Sequence, residues 1–141
     1  MHTLIAADLT LPRVPQAVTR ARHTVTALVA DCTVADDARL LISEAVANAV
    51  EHTAGPAVRI RISHDSRSGE LLCHVRDFSR TVPRHEPTAA PDGEAEGGRG
   101  LHLIAALSES WGYERDAAGK QLWFRLLPKE EAWGVSSKMI K

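Results

Sequence analysis

The sequence predicts an α+β fold, a two-layer α/β sandwich whose mixed, mostly antiparallel sheet carries its helices on one face. Three observations lead there. Two consecutive segments step their apolar residues by three and four. Two later pairs of segments alternate apolar and polar residues around turn-forming clusters. The resulting order, β-α-α-β-β-loop-α-β-β, sets the strands together as hairpins.

Residues 2–10 alternate weakly and then meet Pro12 and Pro15, a short strand and a turn. From Val14, the positions Val14, Val18, Ala21, Val25, Leu28 and Val29 repeat at helical spacing, with Pro15 near the first turn, where a missing N–H costs nothing. A second helix is expected from about Val34 to His52. Thr33 and Asp36 loosely match a capping box at its start, and Gly55-Pro56 stops it. Val58, Ile60 and Ile62 then alternate with Arg59, Arg61 and Ser63 as a half-buried strand. Asp65 to Gly69 forms a turn, and Glu70 to Asp77 returns as its hairpin partner. Residues 80–98 gather Pro83, Pro87, Pro91, Gly93, Gly97 and Gly98 into a long loop of the functional or disordered kind. Leu101 to Leu107 follows as a short helix. A last hairpin, Glu109–Arg115 with Lys120–Leu127, turns at Asp116-Ala117-Ala118-Gly119. One domain over residues 1–128 and a tail over 129–141 account for the 141 residues.

Bulk composition removes several function classes. With 44% hydrophobic and 25% charged residues the chain is globular, and a net charge of −1 speaks against a broad basic surface for nucleic acid. No apolar run approaches the roughly 20 residues that cross a bilayer. The N-terminus lacks the basic and apolar segments of a signal peptide, so a cytoplasmic location is expected. Cys32 and Cys73 have neither a metal spacing nor a disulfide framework and read as buried thiols. The seven histidines offer no pair at i, i+4 with a third carboxylate, so no structural metal is assigned.

Chemistry concentrates in the second helix. Ala38, Ile42, Ala45, Val46, Ala49 and Val50 share one arc, while Glu44, Asn48 and His52 stack at i, i+4 and i+8 on the other side. Such a stripe is either a solvated face or the floor of a cleft. Leu40 and Leu41 project on either side of Glu44, as cleft walls would. Glu44 is a candidate general base. Asn48 is a neutral oxygen ligand that leaves Mg²⁺ its phosphates and waters. Asp77, at the end of an alternating strand, either caps a turn or accepts a hydrogen bond from an exocyclic amine such as that of adenine. Gly97-Gly98-Arg99-Gly100-Leu101, just ahead of the short helix, is either a hinge or a place where backbone N–H groups meet phosphate beside the Arg99 charge. It is neither a P-loop, lacking Gly-Lys-Ser/Thr, nor a dinucleotide-binding fingerprint.

Together and in this order the pieces resemble the GHKL (Bergerat-fold) ATPases. Glu44-x-x-x-Asn48-x-x-x-His52 is similar to the N box, Asp77 opens the segment similar to the first glycine box, and Gly98-Arg99-Gly100-Leu101 is similar to the second. Trp111-Gly112-Tyr113 and Gly119-Lys120-Gln121-Leu122-Trp123-Phe124 resemble the closing hairpin of the small anti-sigma-factor serine/threonine kinases, especially actinobacterial ones. The resemblance covers roughly residues 10–127 and implies a sandwich of the histidine-kinase-like ATPase type. ATP and Mg²⁺ would lie between the Glu44–Asn48 helix and a lid at about 80–98. By that resemblance Asn48 holds Mg²⁺, Asp77 reads adenine, Gly98, Arg99, Gly100 and Leu101 border the phosphates, and Glu44 deprotonates a hydroxyl of a substrate protein.

One departure stands out. The family's Asp-x-Gly-x-Gly becomes Asp77-Phe78-Ser79-Arg80-Thr81, with side chains at both glycine positions. Two functions follow as expectations. One is a kinase that phosphorylates an anti-sigma-factor antagonist and otherwise holds a sigma factor. The other is a switchable binding module that uses ATP, or nothing, to choose partners and transfers no phosphate. A detached sensor-kinase catalytic domain is the third reading, disfavoured by the lack of room for a helical pair bearing a phospho-acceptor histidine. No direct nucleic-acid or membrane contact is expected, and a homodimer is compatible with the resemblance.

Overall fold

The computed structural model describes residues 4–30, 32–78 and 96–128, with only the backbone of residues 5 and 96–100. Most of the expected lid, the two residues Ser79 and Thr81 that stand at glycine positions, and the expected tail over 129–141 lie outside the described residues.

The elements run β1 (Leu4–Pro12), α1 (Gln16–Val29), α2 (Ala35–His52), β2 (Ala57–Asp65), β3 (Leu71–Asp77), α3 (Glu96–Leu107), β4 (Ser110–Asp116) and β5 (Gly119–Leu126). Their order along the chain matches the one expected from periodicity. The strands form one sheet in the order β1-β2-β3-β5-β4, and every neighbouring pair is antiparallel. One face of the sheet is apolar because the alternation in each strand is in phase across the register. Val58, Ile60 and Ile62 of β2 stand beside Asp77, Val75 and Cys73 of β3, and the last two stand beside Leu122 and Phe124 of β5. These side chains, Asp77 included, are buried. They meet the apolar arc of α2, from Ala38 and Leu41 to Val50, and Ala21, Val25 and Val29 of α1. Full burial of each large aliphatic or aromatic side chain contributes roughly 1.5–3 kcal/mol, and this shared core is what fixes the layers.

The opposite face is polar and carries cross-strand pairs. Arg59 grips Asp8 through two bonds of 2.9 and 2.6 Å, and Arg76 grips Asp116 at 3.1 and 2.7 Å. Arg61 donates to Gln121, which donates on to Glu114. A shallow groove here, bordered by Asp8, Arg61 and His74, lies across the sheet from α2. No helix among the described residues is long and apolar enough to cross a membrane.

Local departures from the expected elements have physical causes. Val14 precedes α1 and is 40% exposed, so Ala17 opens the buried face in its place. The Thr33–Asp36 capping box does not form. Val34 is the residue at the N-cap, no side chain caps it, and Asp36 pairs with Arg39 instead. Asp36 and Asp37 still sit in the first turn, where acids favour the helix dipole. Helix α3 begins five residues before the expected start, at Glu96, so Gly97 to Gly100 belong to the helix itself. Glycine is about 0.8–1 kcal/mol poorer than alanine in a helix, which hides this start from propensity. The packing of Leu101, Leu103, Ile104 and Leu107 on the core offsets it.

Candidate functional site

Helix α2 places Glu44 and Asn48 one turn apart, both half-buried, while His52 is exposed. Their neighbours on the same helix are engaged: Arg22 of α1 donates to Ser43 at 3.3 Å, and Ser43 donates to the Arg39 carbonyl at 2.7 Å. Among the described residues neither Glu44 nor Asn48 has a side-chain partner. The expected leucine walls are only half realised, since Leu41 is fully buried in the core and Leu40 is 40% exposed.

The far end of α2 is anchored by a residue that periodicity did not single out. Arg13, just after β1, donates through Nη1 to the Val50 carbonyl at 2.7 Å and through Nε to the Gly55 carbonyl at 2.5 Å. Its own N–H reaches the Pro56 carbonyl at 3.2 Å. The guanidinium thus satisfies a carbonyl left open at a helix C-terminus and adds the favourable charge there. Gly55 in turn lies against the backbone that follows β3: a Cβ on it would sit 2.8 Å from the Phe78 carbonyl carbon. The end of α2 and the end of β3 therefore adjoin, which brings Asp77 toward the Asn48 end of the helix.

Asp77 is 3% exposed and does not sit alone. Lys120, its cross-strand partner on β5, donates from Nζ to Asp77 Oδ2 at 2.8 Å. Lys120 Nζ also lies 5.4 Å from the centroid of the Tyr113 ring. Burial, with the Asp77 charge nearby, pushes the Tyr113 phenol up to about 12. Gly119 makes the arrangement feasible, because any side chain there would run into the Asp77 carbonyl oxygen. Gly98 to Gly100 occupy the start of α3, so their backbone belongs to the first turns, where N–H groups lack intrahelical partners. Leu101 is half-buried and packs on the core.

Chemically, this is a half-buried carboxylate and amide on one helix, a buried carboxylate with its own cation at a strand end, and a glycine-rich helix start. Such a set suits a nucleotide: an oxygen ligand for a metal held mainly by phosphates, a base-reading acceptor, and backbone donors for anions. No three His, Cys, Asp or Glu side chains among the described residues cluster into a self-sufficient metal cage. Burial pushes the Cys73 thiol up, far from any reactive state.

Five antiparallel strands under helices on one face, with this constellation at the α2–β3 end, define a nucleotide-binding sandwich of the GHKL type. The sequence profile of the histidine kinase-like ATPase domain matches residues 11–126, and the chain belongs to that family. In solved structures the fold recurs in the histidine kinase domain of the blue-light activated histidine kinase EL346 from Erythrobacter litoralis. The TM-score is 0.56 at 18% identity, covering 89% of this chain and 65% of that one. This chain therefore spans just under two thirds of that domain's length. No curated protein matches the sequence.

Proposed function

We propose that the protein is an ATP-binding regulatory kinase that transfers phosphate to a serine or threonine of an anti-sigma-factor antagonist and otherwise engages a sigma factor. The observation that carries the reading is the Glu44–Asn48 pair, two half-buried polar side chains on one helix face with no partner among the described residues. Membership of the histidine kinase-like ATPase family supports the nucleotide, and the closing hairpin's resemblance supports the kinase class. Bound Mg²⁺-ATP supplies the phosphoryl group. Asn48 offers its side-chain oxygen to the metal, Asp77 accepts from the base amine, and the N–H groups at the start of α3 face the phosphates. Glu44 takes the proton of the attacking hydroxyl.

The non-catalytic reading, an ATP-responsive module that selects partners, draws on a different observation. The Asp77 carboxylate is already engaged by Lys120, and the sequence that follows has Ser79 and Thr81 where the family has glycines. Calorimetric titration with Mg²⁺-ATP, followed by radiolabel transfer to the candidate antagonist protein, separates the two. Binding with transfer supports the kinase, binding without transfer leaves the module, and no binding in the parent refutes both.

A further inference from the structure

We propose that the Cys32 thiol is an oxidation site for small hydroperoxides, hydrogen peroxide the smallest of them, with His64 as its proton relay. The inference is independent of nucleotide binding. Cys32 lies in the turn between α1 and α2. Its N–H donates to the Val29 carbonyl at 3.0 Å, and its carbonyl accepts from the Ala35 N–H at 3.1 Å. The thiol is free, and half-buried where full burial was expected. It packs on the edge of the core, and its Sγ lies 3.6 Å from Nε2 of His64.

His64 belongs to the core face of β2, in phase with Val58, Ile60 and Ile62, and is 5% exposed. Its Nδ1 is buried without a hydrogen-bond partner, so the thiol is the ring's one polar contact among the described residues. An unsatisfied buried polar group costs about 1–3 kcal/mol, a cost that an apolar residue in this row would avoid. Peroxide chemistry gives the ring a use, because it needs a base and then an acid at the same sulfur. As the S–O bond forms and the O–O bond breaks, the thiol proton passes to Nε2 and on to the departing hydroxide, which leaves as water. Thiol and hydrogen peroxide thus become sulfenic acid and water, sulfur giving two electrons to the peroxide. The positive charge on the ring is transient, as a buried Nδ1–H without a partner requires. No second hydrogen bond fixes the tautomer, so Nε2 is open to act as acceptor. The same contact would exist if His64 merely filled the end of the core, and the experiment has to tell these roles apart.

The test is the rate of oxidation by hydrogen peroxide at each cysteine, read by trapping the sulfenic acid with dimedone and by peptide mass spectrometry. Cys73, fully buried and with its thiol pushed up by burial, is the internal reference. In the folded parent Cys32 is expected to react about tenfold faster than in the urea-unfolded chain, where the histidine contact is gone, and Cys73 to stay unlabelled. Half-burial without a relay would give the reverse order for Cys32. His64→Phe is expected to slow Cys32 by about tenfold or more in the folded chain. If circular dichroism finds His64→Phe unfolded, His64→Gln, which keeps polarity without a titratable ring, replaces it with the same expectation. A folded parent whose Cys32 reacts no faster than the unfolded chain overturns the inference. So does a rate unchanged in the folded variant, which leaves His64 a packing role.

Discussion

Gly119→Ala is the substitution that most directly links the sheet to the site. The added Cβ would overlap the Asp77 carbonyl oxygen, 3.0 Å from Phe78 Cα and 3.1 Å from the Asp77 carbonyl carbon. All of these are backbone atoms, so no side chain can swing away, and β3 or β5 must move. Overpacking of this kind costs about 1–3 kcal/mol, and a backbone obstacle puts it in the upper half of that range. Gly119 also has φ +157°, where a residue with a Cβ is strained, so the stiffer unfolded chain of alanine brings no compensating gain. The net expectation is a loss of about 2–3 kcal/mol. With a urea m-value of about 1–3 kcal/mol/M, the midpoint should fall by roughly 1 M. Urea denaturation followed by far-ultraviolet circular dichroism measures this, with the exposed Ala117→Gly in the same turn as a reference. Nucleotide affinity should fall too, since the displaced strand end carries Asp77. If Gly119→Ala unfolds within about 0.5 kcal/mol of the parent, the close approach of the two strands does not constrain this end of the sheet.

Three further outcomes are expected. Glu44→Gln should keep ATP binding and lose phosphoryl transfer by about 10²–10⁴-fold, the range of a general base; lost binding with an unchanged rate per bound ATP would assign Glu44 to structure. Arg13→Met keeps the apolar stem but abandons the Val50 and Gly55 carbonyls. It should cost about 1–2 kcal/mol in urea denaturation, and a cost near zero would mean that water replaces the guanidinium. Hydrogen bonds from Arg76 and from the Ala118 N–H hold Asp116 at about 2, below its usual 3.8. A depressed carboxylate contributes stability above its unfolded value and loses it as pH falls through the folded one. The stability gap between parent and Asp116→Asn should therefore be constant above about pH 5 and close between about pH 4 and 2; a gap persisting at pH 2 would mean that the Arg76 pairing is not its source.

Elements whose pattern is set by their own core-facing residues were legible. The arc Ala38, Ile42, Ala45, Val46, Ala49 and Val50 defined the inner face of α2, and all six are buried. The β2–β3 hairpin followed from strict alternation around a turn whose chemistry is local. Asp65 accepts from the N–H groups of Arg67 and Ser68, and Gly69 takes φ +80°. Element ends were less legible, because tertiary contacts set them. The capping box proposed at Thr33 needed only a sequence match, whereas the real start of α2 is fixed by burial of Val34 and Ala35. Likewise the glycines at 97–100 argued for a loop, and the packing of Leu101 to Leu107 extends the helix back through them.

The site divides in the same way. Glu44 and Asn48 come from one helix, so their juxtaposition follows from a period of 3.6 residues. The partners of Asp77 come from strand order, which no local pattern encodes. Nothing in Gly119-Lys120-Gln121 announces that β5 inserts between β3 and β4, and that insertion alone sets Lys120 opposite Asp77. Had β4 been the neighbour of β3, Asp77 would have lacked this buried counter-charge, and an isolated buried carboxylate is strongly disfavoured. The buried acid at the end of β3 and the lysine on β5 therefore constrain each other. An acid at this position, buried and ready to accept a donor, requires a cation on the adjoining strand or a ligand in its place. The strand order that supplies the cation is what lets a carboxylate be buried at the end of β3.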